Sequence, residues 1–287
     1  MMAQQQVNIG ELLMHHTADA YALDFSPLFT LSWHRWPDIH VGPVTLNLTP
    51  TKHIVYMIAA ALLVFVVMRL AGRKLERQRA GERAPSGFAN AVEATVLWAR
   101  QDLAIANMGH AGAKFAPFIM TLFFFILACN LLGLLPWGAT PTGNLGVTGA
   151  LAIMALAAIE ISGFVKLGPK GYLRTIFPPI PGMAGPAAVA ISIFMAPIEL
   201  LGKLIKPFAL CVRLFGNMTA GHFVILSLFG LIFLFGHLQY WNVAIGAASA
   251  TLVFGIMLLE IIVALVQAYV FALITAVLIG LMQQEHH

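Results

Sequence analysis

The feature that most constrains this chain is the length of its uncharged, apolar segments. No Lys, Arg, Asp or Glu occurs from Leu214 to Leu259, and after Glu260 none occurs until Glu285. Apolar residues make up 60% of the chain and charged residues only 10%, whereas a soluble protein carries about 25% charged residues. The sequence therefore predicts a polytopic membrane protein rather than one with a large soluble core.

Arg213 stands directly before the first of these segments, within a helical pattern that would place it in hydrocarbon. An arginine cannot lose its proton there, because its pKa lies above about 12. On insertion scales a central arginine costs roughly 2.5 to 3.5 kcal/mol. Such a residue indicates a functional site, usually with an acidic partner. The structural alternative is a buried ion pair that fixes helix packing.

The basic residues lie beside the apolar segments, which explains the net charge of +4 without a nucleic-acid partner. The first segment is followed by a run of basic side chains: Arg69, Arg73, Lys74, Arg77, Arg79 and Arg83. By the positive-inside rule this end is cytoplasmic and the N-terminus lies outside.

The chain divides into an extracytoplasmic N-terminal arm, residues 1–50, and a membrane domain, residues 51–287. The predicted fold class is an all-α integral membrane protein with five membrane-embedded helices. The membrane domain is predicted to contain spans at 53–72, 115–135 and 145–165, an interfacial amphipathic helix at 86–108, and a long hairpin of helices at 186–236 and 240–283. The first hairpin helix would be about 75 Å long, more than twice the ~30 Å hydrocarbon thickness. It must therefore break, with Pro197 and Pro207 as candidates, or lie steeply inclined.

Helical spacing groups the polar residues of the hairpin. On the first helix one stripe contains Glu199, Lys203, Lys206, Arg213 and Asn217. His222 is nine residues past Arg213 and faces elsewhere, whereas Glu260 and Gln267 are seven apart and share a face of the second helix.

This grouping suggests a cationic ridge around Arg213 and a protonatable path through His222 and Glu260, bridged by Asn217 and Gln267. The alternative for His222 and Glu260 is a satisfied buried pair. Glu199 and Lys203, four residues apart, favour an interfacial ion pair over a proton exit on spacing alone.

The remaining polar residues predict no metal or cofactor site. The arm histidines, with His53 at its border, lack metal-ligand spacing and are interpreted as a solvated arm. Cys129 and Cys211 are interpreted as packed free thiols. Asn130, in the middle of a span, is predicted to make an interhelical hydrogen bond.

Together these residues resemble a known family. The segment Arg213-Leu214-Phe215-Gly216-Asn217-Met218-Thr219-Ala220-Gly221-His222, with Leu259-Glu260 and Gln267-Ala268-Tyr269-Val270-Phe271, is similar to subunit a of F-type ATP synthases. The likeness extends to Asn130-Leu131-Leu132-Gly133-Leu134-Leu135-Pro136 and covers about residues 50–287.

The resemblance implies a stator subunit that makes no covalent bond itself and faces a ring of c subunits, with b-type peripheral stalk subunits nearby. Arg213 would separate two offset half-channels and release the proton from a ring carboxylate. The outer half-channel would be lined by His222, Glu260, Asn217 and Gln267, and Glu199 would mark the cytoplasmic exit. The hairpin would lie nearly flat in a bacterial inner membrane, with the C-terminus in the cytoplasm.

Two family positions differ in this chain. Some members exchange the residue types of His222 and Glu260, which is possible if both groups share one aqueous pocket. Other members carry an acid where this chain has Gly133, so no proton role is expected there.

Two other readings compete with the stator. A secondary transporter would use Arg213 to bind an anionic substrate, but it would predict an inverted repeat that the sequence lacks. A purely structural scaffold would leave Arg213, His222 and Glu260 unexplained. The sequence leaves both H⁺ and Na⁺ open as the coupling ion, because selectivity would rest on the ring carboxylate.

Overall fold

The computed structural model is mainly helical and describes most of the chain. The described residues are 19–25, 29–41, 44–47, 49–81, 87–109, 112–135, 138–178, 182, 185–235 and 242–283. The strands are β1 (Ala22–Phe25), β2 (Phe29–Ser32), β3 (Ile39–Val41) and β4 (Val44–Leu46). The helices are α1 (Lys52–Ala80), α2 (Phe88–Trp98), a π-helix (Ala99–Ile105), α3 (Ala106–Met108), α4 (Gly112–Gly133), a 3₁₀ turn (Pro141–Gly143), α5 (Leu145–Ile176), α6 (Pro186–Phe235) and α7 (Asn242–Gln283).

Within the described part of the chain, five helices are long and apolar enough to cross a membrane. They are Lys52–Gln78, Gly112–Gly133, Leu145–Ile176, Pro186–Leu228 and Val243–Gln283. About 20 apolar helical residues span the hydrocarbon core, and helices satisfy their own backbone hydrogen bonds there. The predicted class, an all-α integral membrane protein with five such helices, is confirmed.

The fourth of these helices, α6, runs for 50 residues through both Pro197 and Pro207. Of the two alternatives that its length posed, a break at a proline is not what the structure has. At 1.5 Å per residue the helix is about 75 Å long.

The N-terminal arm contains two short antiparallel hairpins that the sequence reasoning did not predict. β1 pairs with β2, with Ala22 opposite Ser32, and β3 pairs with β4, with Ile39 opposite Leu46. Strands this short carry too few alternating residues to give a periodic signal.

Hydrogen bonds fix the arm to the start of α1. The Lys52 backbone N–H donates to Ala20 O at 2.9 Å. The Trp33 indole N–H donates to Pro50 O at 2.7 Å. The residues just before α1 therefore have a defined position.

The chain forms two compact units. Unit 1 comprises Met1–Val66, Phe125–Asn144 and Leu214–Gln267; unit 2 comprises Val67–Phe124, Leu145–Arg213 and Ala268–His287. In unit 1, small buried residues of α1 and α4 meet, namely Ala60, Ala128 and Cys129. Lipid gives membrane helices no hydrophobic drive to associate, so their association depends on close packing. Small side chains allow this close approach.

Unit 2 is held by aromatic and small-residue contacts. Trp98 stacks on Tyr269 with ring centroids 5.9 Å apart. Gly163 lies against Met282, whose Sδ would be 3.2 Å from a Cβ built at the glycine. The Gln283 amide donates to Ser162 O at 3.0 Å. These contacts join α2, α5 and the end of α7.

Candidate functional site

The six candidate side chains lie on the two longest helices. α6 carries Glu199, Arg213, Asn217 and His222, and α7 carries Glu260 and Gln267. Unit 2 contains Glu199 and Arg213, whereas unit 1 contains the other four. The residues expected to form a protonatable path therefore belong to one compact unit.

Glu260 is a buried carboxyl group of unit 1. It is 7% exposed, and its Oε2 atom has no hydrogen-bond partner among the described residues. An ionised carboxylate is costly in such a place, because burial removes water without supplying a partner. This oxygen is thus suited to holding a proton or contacting water.

Gly221 of α6 makes room for Glu260. A Cβ added at Gly221 would overlap the Glu260 Oε1 atom and lie 2.8 Å from its Cδ. Because His222 is the next residue, the two protonatable groups lie at the same level on adjacent stretches of α6 and α7. A backbone without a side chain is what permits this approach.

His222 has a partner outside the hairpin. Its Nε2 atom shares a short hydrogen bond with Thr140 Oγ1. Thr140 is 2% exposed and directly precedes the 3₁₀ turn Pro141–Gly143. A hydroxyl can donate and accept, so this bond forms with either tautomer of the imidazole.

Thr140 also contacts His53, at the start of α1. The His53 Nδ1 atom is 3.1 Å from Thr140 O, and its Nε2 atom is 3.8 Å from Asp19 Oδ1. His53 is only 5% exposed. The prediction that His53 belongs to a solvated arm was therefore wrong. Because α1 begins at Lys52, His53 lies in its first turn, and its imidazole is buried within unit 1.

Asn130 holds α4 against α7 beside Glu260. Its amide donates to Ala264 O at 3.1 Å, and its Oδ1 accepts from Thr142 Oγ1 at 2.7 Å. Ala264 is one helical turn after Glu260. The predicted interhelical hydrogen bond is confirmed, and Gln267 is also buried in this unit.

Arg213 and Asn217 are exposed on the surface of α6, one turn apart. Only 6% of the apolar stretch of α6 is buried by the rest of the chain, whereas 44% of the apolar stretch in Gly112–Gly133 is buried. α6 thus presents an apolar face that carries a permanent cation and an amide.

Unit 2 contains a second ionisable cluster that was not predicted. The Tyr172 hydroxyl donates to Glu160 Oε2 at 2.5 Å, and Lys203 Nζ lies 3.5 Å from the same oxygen. Lys203 also donates to Thr175 Oγ1 at 2.9 Å. The favoured ion pair between Lys203 and Glu199 was therefore wrong. Glu199 is exposed, and Lys203 reaches the closer, more buried carboxylate.

Sequence reasoning missed Glu160 although a signal was present. It is the one acid between Leu145 and Val165, and a charged residue inside an apolar span marks a site by the argument applied to Arg213. Thr140 and His53 gave no such signal, because their contacts join residues 82 and 87 positions apart.

Among the described residues, no group of three or more His, Cys, Asp or Glu side chains could hold a metal ion. Cys129 and Cys211 are free and buried, as predicted. Cys211 lies 3.4 Å from Thr148 Oγ1 in a weak hydrogen bond.

Apolar spanning helices with buried protonatable groups define a class, polytopic membrane proteins with ionisable sites. A profile of the ATP synthase A chain family matches residues 44–280. The chain is 41% identical to ATP synthase subunit a 2 of Chlorobaculum tepidum over 97% of this chain and 74% of that protein. It is 40% identical to ATP synthase subunit a of Chloroherpeton thalassium, over 93% and 75%. It is 39% identical to that of Anaeromyxobacter dehalogenans, over 95% and 70%.

The chain therefore belongs to the ATP synthase A chain family, that of subunit a, a multi-pass membrane component of the enzyme's membrane sector.

Proposed function

We propose that this chain is the proton-conducting stator subunit of a rotary F-type ATP synthase. It offers two offset half-channels to the carboxylates of a c-subunit ring and so couples proton flow to ring rotation and ATP synthesis. The observation that carries this proposal is the packing of Gly221 against Glu260, which brings His222 and a buried carboxyl group to one level in unit 1. Two groups that can exchange protons, at one level of an apolar protein, suit conduction.

The outer half-channel would use His222 and Glu260, with Asn217 and Gln267 as polar bridges. Glu199 would serve the cytoplasmic exit, since its carboxylate is exposed on α6, fourteen residues before Arg213. Asn130 and Thr142 would hold α4 beside this path through their hydrogen bonds.

Arg213 would separate the half-channels and face the ring carboxylate. Its exposure on an apolar helix supports a protein partner, because an arginine facing lipid is costly. Its fixed charge favours ionisation of a nearby carboxylate and cannot itself relay a proton. The exposed apolar face of α6 supplies the surface for the ring.

The proposed setting is a bacterial inner membrane, with b-type stalk subunits beside the chain. The arm would lie outside and the C-terminus in the cytoplasm, since Arg69, Arg73 and Lys74 follow the first span. The α6–α7 hairpin would be strongly inclined, because α6 exceeds the ~30 Å hydrocarbon core. The segment from Phe88 to Met108 would lie at the cytoplasmic interface. An anion transporter using Arg213 is not supported, since the relatives are ATP synthase subunits.

The decisive experiment is ATP-driven acidification of inverted membrane vesicles carrying Arg213→Ala. We expect acidification to be lost while the ring still co-purifies. Lys206→Ala is the matched control, because Lys206 is an exposed cation seven residues earlier on the same helix. Normal acidification by the Arg213→Ala complex would contradict the proposed mechanism.

A further inference from the structure

A line of contacts leads from the surface of unit 1 to His222, through residues that the proposed function does not use. It runs from Asp19 to His53, from His53 to Thr140, and from Thr140 to His222. We propose that Asp19, His53 and Thr140 form the outer mouth of the proton path. Asp19 and His53 exchange protons with the outside, and Thr140 positions His53 and His222. This inference rests on the proposed function.

The geometry of His53 selects the nitrogen that exchanges protons. Nδ1 lies 3.1 Å from Thr140 O, which can only accept, so Nδ1 carries a hydrogen. Nε2 is left to take up a proton, with Asp19 Oδ1 at 3.8 Å to stabilise the imidazolium that results. His53 then releases this proton from Nε2 to water that leads on to His222, because the Thr140 carbonyl can only accept and carries no proton. The Nδ1 bond thus holds both the ring orientation and the tautomer.

Asp19 connects this histidine to bulk water. Its side chain is 39% exposed, whereas that of His53 is 6% exposed. The Asn144 amide donates to Asp19 Oδ2 at 3.2 Å, which leaves Oδ1 directed towards His53. The next residue, Ala20, accepts the Lys52 N–H and so ties the carboxylate to the start of α1.

Thr140 holds two imidazoles with two different atoms. Its carbonyl accepts from His53, and its hydroxyl bonds His222. The residue fits against α4 only because position 133 is glycine. A Cβ there would overlap Thr140 Oγ1 and lie 2.8 Å from its Cγ2. Thr142, two residues on, is anchored to Asn130. The 3₁₀ turn and the Thr140 hydroxyl before it are therefore held in place by the contact with Gly133 and by the hydrogen bond from Thr142 to Asn130.

A purely structural role explains this arrangement less well. A histidine that only filled space would not need its second nitrogen directed at a half-exposed carboxylate. Exposure falls from Asp19 through His53 to Thr140, and these three residues lead from water to the half-buried His222. Asp19 and His53 can exchange protons, and Thr140 can hydrogen-bond both imidazoles.

The test uses the whole complex in inverted vesicles and measures ATP-driven acidification at equal amounts of assembled enzyme. We expect His53→Ala to lower the rate by about tenfold, less than the roughly 100-fold contribution of a typical positioned proton-transfer group, because water replaces part of its role. Added imidazole should restore the rate. Thr140→Val should lower the rate, and Thr140→Ser, which keeps the hydroxyl, should not. His34→Ala, an exposed arm histidine, is the control.

The outcomes separate this inference from the proposed function. Normal rates for His53→Ala and Thr140→Val beside a slow Glu260→Gln complex would overturn the inference alone. Normal rates for all three would overturn the proposed path as well. A slow His53→Ala complex that imidazole leaves unchanged would make His53 structural and also overturn the inference. Should His53→Ala fail to assemble, the surface variant Asp19→Asn decides, since the inference requires it to be slower than Asp38→Asn.

Discussion

At the scale of single residues, the candidate site depends as much on missing side chains as on charged ones. Gly221 and Gly133 each admit a polar partner, Glu260 and Thr140 respectively, into space that a methyl group would fill. Gly216 has nothing within 4 Å of its missing Cβ and is not needed for such contacts. Glycines that look alike in the sequence therefore have different roles.

Gly221→Ala should disturb the site, because the new methyl group would overlap the Glu260 carboxyl. Overpacking of this kind costs about 1 to 3 kcal/mol. We expect a lower thermal midpoint for the purified complex and slower ATP-driven acidification. Gly246→Ala, on α7 with nothing within 4 Å of its missing Cβ, should change neither. Equal effects of the two variants would show that the close approach at Gly221 is unimportant.

Glu260→Gln should slow proton flow while leaving assembly intact. The amide keeps the size of the side chain but cannot exchange a proton, and we expect roughly a 100-fold loss of pumping, as for removal of a positioned acid or base. Acidification of inverted vesicles measures the effect, and co-purification of the other subunits checks assembly.

The control for this substitution is Glu76→Gln, which changes an exposed carboxyl group on α1. It should pump at the normal rate. Unchanged pumping by the Glu260→Gln complex would remove Glu260 from the path.

At the scale of elements, the second ionisable cluster depends on a sharp kink in α5. Gly168 has φ +68° and ψ 174°, and Pro169 follows it. Glu160 and Tyr172 are twelve residues apart, which would separate them by about 18 Å in a straight helix. Their side chains are instead 2.5 Å apart. The kink folds the end of α5 back, so that Tyr172 and Lys203 can both reach Glu160.

Gly168→Ala should destabilise this cluster, because an L-residue rarely adopts that backbone conformation. The strain costs of the order of 1 to 3 kcal/mol, and we expect a lower thermal midpoint and faster proteolysis near Lys166 and Lys170. Gly149→Ala, earlier in α5 with nothing near its missing Cβ, should leave both properties unchanged or slightly improved. An equally stable Gly168→Ala protein would mean that the kink does not depend on the glycine.

The elements differ in how well they could be predicted from the sequence. Hydropathy and length indicate the five long helices, since the bilayer requires long apolar stretches. The four arm strands have no such requirement, and the kink at Gly168 lies inside an otherwise helical pattern.

At the scale of the whole molecule, the proposed orientation rests on the basic residues after the first span. A cysteine replacing His34 should react with a membrane-impermeant maleimide in intact cells, whereas one replacing Lys74 should react only in inverted vesicles. Both positions are exposed, and Cys129 and Cys211 are buried, which keeps the background low. The opposite labelling pattern would reverse the proposed topology.

The sequence by itself determined the membrane class and the five long helices, and it marked Arg213, His222 and Glu260 as candidate site residues. It could do so because hydrocarbon penalises charge so strongly that composition and spacing alone mark the exceptions. Only the tertiary structure decided which partners these residues meet. Thr140 hydrogen-bonds both His53 and His222, and Gly221 leaves space for Glu260. Lys203 pairs with Glu160 rather than with Glu199. These contacts depend on how segments that are distant in the sequence pack together. Such packing produces no periodic pattern in the sequence, so the sequence alone does not predict it.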